Sequence, residues 1–170
     1  GYDAHIITET SRDDLAANRE IEQSKLARAV LLAAALTLPV FILEMGGHAV
    51  PAFHHWLYGL FGRFPIWVVQ FLLTSAVLFG PGLRFFRAGV PALLHGAPDM
   101  NSLVVLGSSA AWGFSTLVTF APGILPDGTQ AVYFEAAAMI VTLILLGRWL
   151  EARAKGRTGA AIARLVGLQA

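Results

Sequence analysis

From Tyr133 the chain reads Tyr133-Phe134-Glu135-Ala136-Ala137-Ala138, then an apolar run that closes in Gly147-Arg148-Trp149-Leu150-Glu151. At about 1.5 Å of rise per helical residue, this stretch is long enough to cross the hydrocarbon core of a bilayer. It also carries a carboxylate near each end. Glu135 and Glu151 are separated by roughly 24 Å of helix rise, so they lie near opposite faces and cannot share one site. An ionisable group at the centre of a transmembrane helix costs about 2.5–3.5 kcal/mol, which makes any that occurs a functional candidate. Two on one span point to something passed across.

The rest of the composition agrees with a membrane setting. Of 170 residues, 56% are hydrophobic and 14% charged, where a soluble domain carries about 25% charged residues. The net charge of +1 comes from basic residues dispersed among the spans, so nothing points to nucleic acid. The stretch has no cysteine, which removes disulfides, zinc-thiolate sites and a thiol nucleophile from it. Gly1 is not an initiator residue and no signal peptide precedes the first span, so the chain reads as an excerpt of something longer.

Taken in order, residues 1–25 are polar, and Ser11-Arg12-Asp13-Asp14 has the spacing of a helix-starting capping box. A first span covers about 29–47, interrupted by Pro39, with Glu44-Met45 at its far end. A polar loop bearing His48, His54, His55 and Arg63 follows, and Pro65 opens a second span over about 65–87. Gly80-Pro81-Gly82 predicts a kink in it, because proline removes a donor and glycine lets the chain bend. Past the kink, Leu83-Arg84-Phe85-Phe86-Arg87 interleaves aromatic and basic residues, which suits a segment on the membrane surface. A third span, about 100–120, is rich in the Gly, Ser and Ala that allow close helix packing. After a loop marked by Pro122-Gly123, Pro126 and Asp127-Gly128, the fourth span covers 131–151 and continues as a basic helix.

The expectation is an all-α membrane protein with four transmembrane helices in the bilayer, the second kinked into an amphipathic surface platform. Arg12, Arg19, Lys25 and Arg28 precede the first span, Arg84 and Arg87 follow the second, and Arg148, Arg153, Lys155, Arg157 and Arg164 end or follow the fourth. Only Arg63 lies in the other loops, which places both termini in the cytoplasm.

On that topology Met100 and Glu151 belong to the same face. Thioether sulfur suits Cu(I) rather than a hard cation. The alternative is that Met100 packs and Glu151 is solvated beside Arg148, Arg153 and Lys155. Glu135 either faces a path or caps its own helix start. Glu44-Met45-Gly46-Gly47-His48 holds metal-ligand types, although a loop histidine cluster more often sits in water. There is no Walker-type loop, no serine elbow and no His-Glu-x-x-His. From the residues alone, this is a four-span membrane module with a candidate ion path.

Several stretches together resemble the heavy-metal P-type ATPases, in particular the Cu(I)-exporting branch. They are Glu44-Met45-Gly46-Gly47-His48, the kinked helix running into Phe85-Phe86-Arg87-Ala88-Gly89, and Asp99-Met100-Asn101-Ser102-Leu103 with Gly107. The last is Tyr133-Phe134-Glu135-Ala136-Ala137 through Leu146-Gly147-Arg148-Trp149-Leu150-Glu151, with Arg157-Thr158-Gly159. The likeness covers nearly the whole chain. Gly1-Tyr2-Asp3-Ala4 looks like the end of an amino-terminal metal-binding domain, with 1–25 as the linker after it. Residues 26–151 match the four-span section, and 152–170 the start of the connection to an actuator domain.

The resemblance implies that Met100 and Glu151 receive Cu(I) at the cytoplasmic side and that Glu135 lies on the release path. It implies that the kink at Gly80 and Gly82 makes a platform, with Arg84 and Arg87, where a copper chaperone or the protein's own amino-terminal domain docks. Val90-Pro91 departs from the family, which more often has a bulky aromatic and a polar residue there, and leaves the platform less basic. The implied protein is an ATP-driven Cu(I) export pump of the plasma (inner) membrane. Its phosphorylated aspartate, its ATP and Mg(II) site and its cysteine-bearing helix fall outside this stretch. The competing readings are a non-enzymatic four-helix metal channel or scaffold, and a P-type pump for a divalent metal such as Zn(II).

Overall fold

The computed structural model describes residues 2–169, with side chains described for 13–169. Among these residues every regular element is helical. The order is α1 (Tyr2–Ala49), α2 (Pro51–Phe61), α3 (Arg63–Phe79), α4 (Leu83–Leu94), α5 (Met100–Phe120), a 3-10 turn (Pro122–Ile124) and α6 (Phe134–Leu168). The chain divides into two compact units, a larger one of Leu31–Ile144 and a smaller one of Gly1–Val30 with Leu145–Ala170. Gly1, where the likeness to a metal-binding domain begins, lies outside the described residues.

Three local expectations change. The backbone of Ser11-Arg12-Asp13-Asp14 starts no helix, because it lies inside α1, where the N–H groups a cap would take are already bonded. Pro39 does not interrupt α1 either; it removes one donor, and the ladder continues on both sides. The histidine-bearing loop is largely helical, as α2. It meets α3 at a 100° bend, at Gly62, whose φ of +81° is in the left-handed region.

Two helices, α1 over Asp13–Ala49 and α5, are long and apolar enough to cross a membrane, and up to three if bent α2 and α3 form one span. The four expected crossings are not reached on that measure. For α6 the reason is charge rather than length, since its opening 18 residues hold Glu135, Arg148 and Glu151. The second expected span is not one kinked helix but two. The Gly80 N–H bonds Ala76 O at 2.9 Å and the Gly82 N–H bonds Val77 O at 2.8 Å, which closes α3. A Cβ would stand 2.6 Å from Ala76 O at Gly80 and 2.8 Å from Leu78 O at Gly82, so this tight ending requires glycine.

Within the larger unit, α4 presses its backbone against the start of α5. A Cβ on Gly89 would lie 2.7 Å from the Asn101 carbonyl carbon and oxygen, and Ser102 Oγ donates to Gly89 O at 2.9 Å. Phe85 and Gly89 are buried while Arg84 and Arg87 are exposed, so α4 has one packed and one free face. Asp99 caps α5, accepting the Ser102 N–H at 3.0 Å, and the Ser102 hydroxyl accepts the Asp99 N–H in return. A core of Val40, Trp67, Val118, Val132 and Phe134 joins α1, α3, α5 and the start of α6. Hydroxyls tie the helices: Thr37 to Thr142 at 2.8 Å and Trp112 Nε1 to Ser75 at 2.9 Å. Such bonds are worth about 0.6 kcal/mol each within a membrane.

Candidate functional site

The position of Glu135 follows from how α6 begins. The Tyr133 N–H donates to Ser115 Oγ at 2.6 Å, and Thr74 Oγ1 on α3 donates to Phe134 O at 3.4 Å. Phe134 is fully buried, with its ring 6.0 Å from that of Phe71. These ties draw the first turn of α6 inward, and Glu135 goes with it. Only 8% of Glu135 is exposed, and its Oε2 has no hydrogen-bond partner. Buried polar atoms are nearly always partnered, which sets this carboxylate apart from a surface residue.

On α3, one turn before Thr74, Gln70 is fully buried. Its Nε2 donates to Glu44 Oε2 on α1 at 3.5 Å, and its Oε1 is unpartnered. Three helices of the larger unit are linked here, α3 to α1 through the Gln70–Glu44 bond and α3 to α6 through Thr74, whose hydroxyl reaches the carbonyl just before Glu135. Among the described residues, no three His, Asp or Glu side chains are arranged to hold a metal ion, so Glu44 to His48 is not a closed cage. His54 instead stacks on Tyr58, with ring centroids 4.2 Å apart.

Gln70 is the residue that sequence reasoning passed over. The signal was available, as a lone amide in the apolar run from Ile66 to Phe79.

Met100 is the first residue of α5 in the larger unit and is about half exposed. Glu151 lies on α6 in the smaller unit, with its side chain 59% exposed and ion-paired to Lys155 at 3.0 Å. Nearby, the Arg153 guanidinium lies 5.5 Å from the centre of the Trp149 ring. In the same unit Gly156 and Gly159 face Gln23 and Arg19 of α1 across ordinary contact distances.

No family model matches the sequence. Curated relatives do. Copper-transporting ATPase 1 of Rhizobium meliloti is 63% identical over 151 residues, 89% of this chain and 18% of the relative. Copper-transporting ATPase 2 of the same organism is 57% identical over 152 residues, again 89% and 18%. The chain belongs to the copper-transporting P-type ATPases. A more distant member, the copper-exporting P-type ATPase of Legionella pneumophila, is 40% identical over 153 residues, 86% of this chain and 20% of its own length. The chain therefore spans about a fifth of the length of these relatives.

Proposed function

We propose that this chain is the leading membrane section of an ATP-driven Cu(I) export pump of the plasma (inner) membrane. The observation that carries this reading is the 63% identity, over 89% of the chain, to a protein named for copper transport. On this reading the chain crosses four times, through α1, α3, α5 and α6, with both ends cytoplasmic. The distribution of Lys and Arg supports that orientation. ATP, Mg(II) and the phosphorylated aspartate belong to later parts of the whole protein, toward which residues 152–170 lead.

Each candidate residue then has a task. Met100 offers an incoming Cu(I) a soft sulfur. Glu151, in the smaller unit, offers a carboxylate charge of its own. The half-exposed state of Met100 suits a residue that must meet an incoming ion. The free face of α4, with Arg84 and Arg87 exposed, receives a copper chaperone or the amino-terminal metal-binding domain. The break at Gly80 and Gly82 lets α4 turn away from α3. Glu135 takes Cu(I) at release, because carboxylate oxygen binds a soft ion weakly and lets it go.

The test is copper-stimulated ATPase activity of the full-length protein. Met100→Leu keeps the packing volume and removes the sulfur, so activity should fall at limiting copper and recover at high copper. Full activity at limiting copper would leave Met100 a packing residue.

A further inference from the structure

We propose that Gln70 serves the release site twice, holding Glu44 through its N–H end and offering its amide oxygen to the ion, an inference that rests on Glu135 acting in copper release. Gln70 is fully buried on α3. Its N–H end bonds Glu44 on α1. One turn along the same face of α3, Thr74 bonds the carbonyl of Phe134, the residue just before Glu135. One helix face therefore holds α1 through an amide and the start of α6 through a hydroxyl.

The hydrogen-bonding pattern identifies what such a place accepts. A primary amide can donate twice and accept twice, and a fully buried one normally uses both ends. Here the donor end is used and the Oε1 end is not. The Oε2 of Glu135, also buried, has no donor either. If Gln70 served only to pack or to tie helices together, a nearby N–H or hydroxyl would complete it. Acceptors without donors, one on α3 and one at the start of α6, suit a small cation. With Gln70 holding Glu44, three helices contribute oxygen donors: Glu44 from α1, Gln70 from α3 and Glu135 from α6. Oxygen donors alone bind a soft monovalent ion weakly. A site of this composition passes the ion on instead of storing it.

The donor type is therefore the property to change. In the full-length protein, Gln70→Leu removes both ends of the amide while keeping an apolar side chain of similar bulk. Residues that orient a metal's ligands typically alter binding or activity 10–100-fold, so dephosphorylation of the copper-loaded pump should slow by about tenfold. Glu135→Gln should slow the same step, and the double variant should be little slower than either single one, because residues acting as a unit are not additive. Gln70→Met puts a thioether where the amide oxygen stood. That variant should retain more copper per phosphorylated protein after washing, a readout that loss of packing would not raise, and it applies even if Gln70→Leu fails to fold.

The outcomes distinguish a role for Gln70 from a role for Glu135. If Glu135→Gln slows dephosphorylation while Gln70→Leu matches the parent, Gln70 is a packing residue and this inference falls while the release reading stands. If both variants dephosphorylate at the parent rate, the release reading itself falls. Copper retention by Gln70→Met equal to that of the parent would also overturn a place for Gln70 beside the ion.

Discussion

Glu135 and Glu151 stand on the same helix, and each unit of the protein gives its own a different setting. In the larger unit Glu135 is buried at the start of α6, next to the tie from Thr74 on α3, with one oxygen unpartnered. In the smaller unit Glu151 points into open surroundings and pairs with Lys155 four residues on. The packing around them differs in the same way. Gly89 in the larger unit admits no side chain, whereas a Cβ on Gly159 in the smaller unit would find its nearest neighbour at 3.7 Å. The comparison separates residues whose substitution alters the fold from residues whose substitution alters chemistry alone.

The largest effect should come from the glycines. Gly89→Ala forces the α4 backbone away from Asn101 and Ser102 and should cost about 1–3 kcal/mol, the usual range for overpacking. Gly159→Ala should leave the melting temperature of the full-length protein unchanged. Equal melting temperatures for the two variants would break the contrast between the units.

Next are the carboxylates. Glu135→Gln keeps shape and removes charge, so it should make the phosphorylated protein accumulate without lowering the melting temperature. If Glu135 only steadied the helix start through its dipole, the variant would lose about 0.3–1 kcal/mol of stability and turn over normally. Glu151→Gln breaks an exposed pair, so melting should be unaffected. Its effect should be confined to copper-stimulated activity, most visibly at low copper. A fall in melting temperature for Glu151→Gln would show that its exposed pair with Lys155 has a structural role after all.

The smallest effect concerns Asp99, which is exposed although it belongs to the larger unit. The Ser102 backbone N–H, helped by the Ser102 hydroxyl and Asn101, holds its carboxyl below the ordinary 3.8. A carboxyl lowered by folding contributes stability above its unfolded value and loses it as pH falls through the folded one. Asp99→Ala should therefore melt slightly below the parent near neutral pH, and the gap should close as the pH drops under 3.8. A gap that stays constant through that range would show that the charge of the cap contributes nothing.

Part of this was legible along the chain. Apolar runs of spanning length, the break at Gly80-Pro81-Gly82 and the helix opening at Met100 follow from residue type and spacing, because they depend on local backbone chemistry. The likeness that names the family also lies in consecutive residues. Other features could not be read that way. The same spacing that suggests a capping box sits mid-helix at Ser11-Arg12-Asp13-Asp14, while the cap that forms is Asp99 with Ser102. Cap geometry depends on where the ladder ends, and a tetrapeptide does not say.

The sequence by itself determined that the protein is helical and apolar, that its charges gather at the ends of its runs, and that Glu135 and Glu151 are far apart. Only the tertiary structure decided that Glu135 is buried with a free oxygen, and that Gln70 reaches Glu44 from another helix. The physical reason is that burial and hydrogen-bond satisfaction belong to pairs of residues distant in the chain. Gln70 and Glu135 lie on different helices, and what each lacks becomes visible only once the helices are packed.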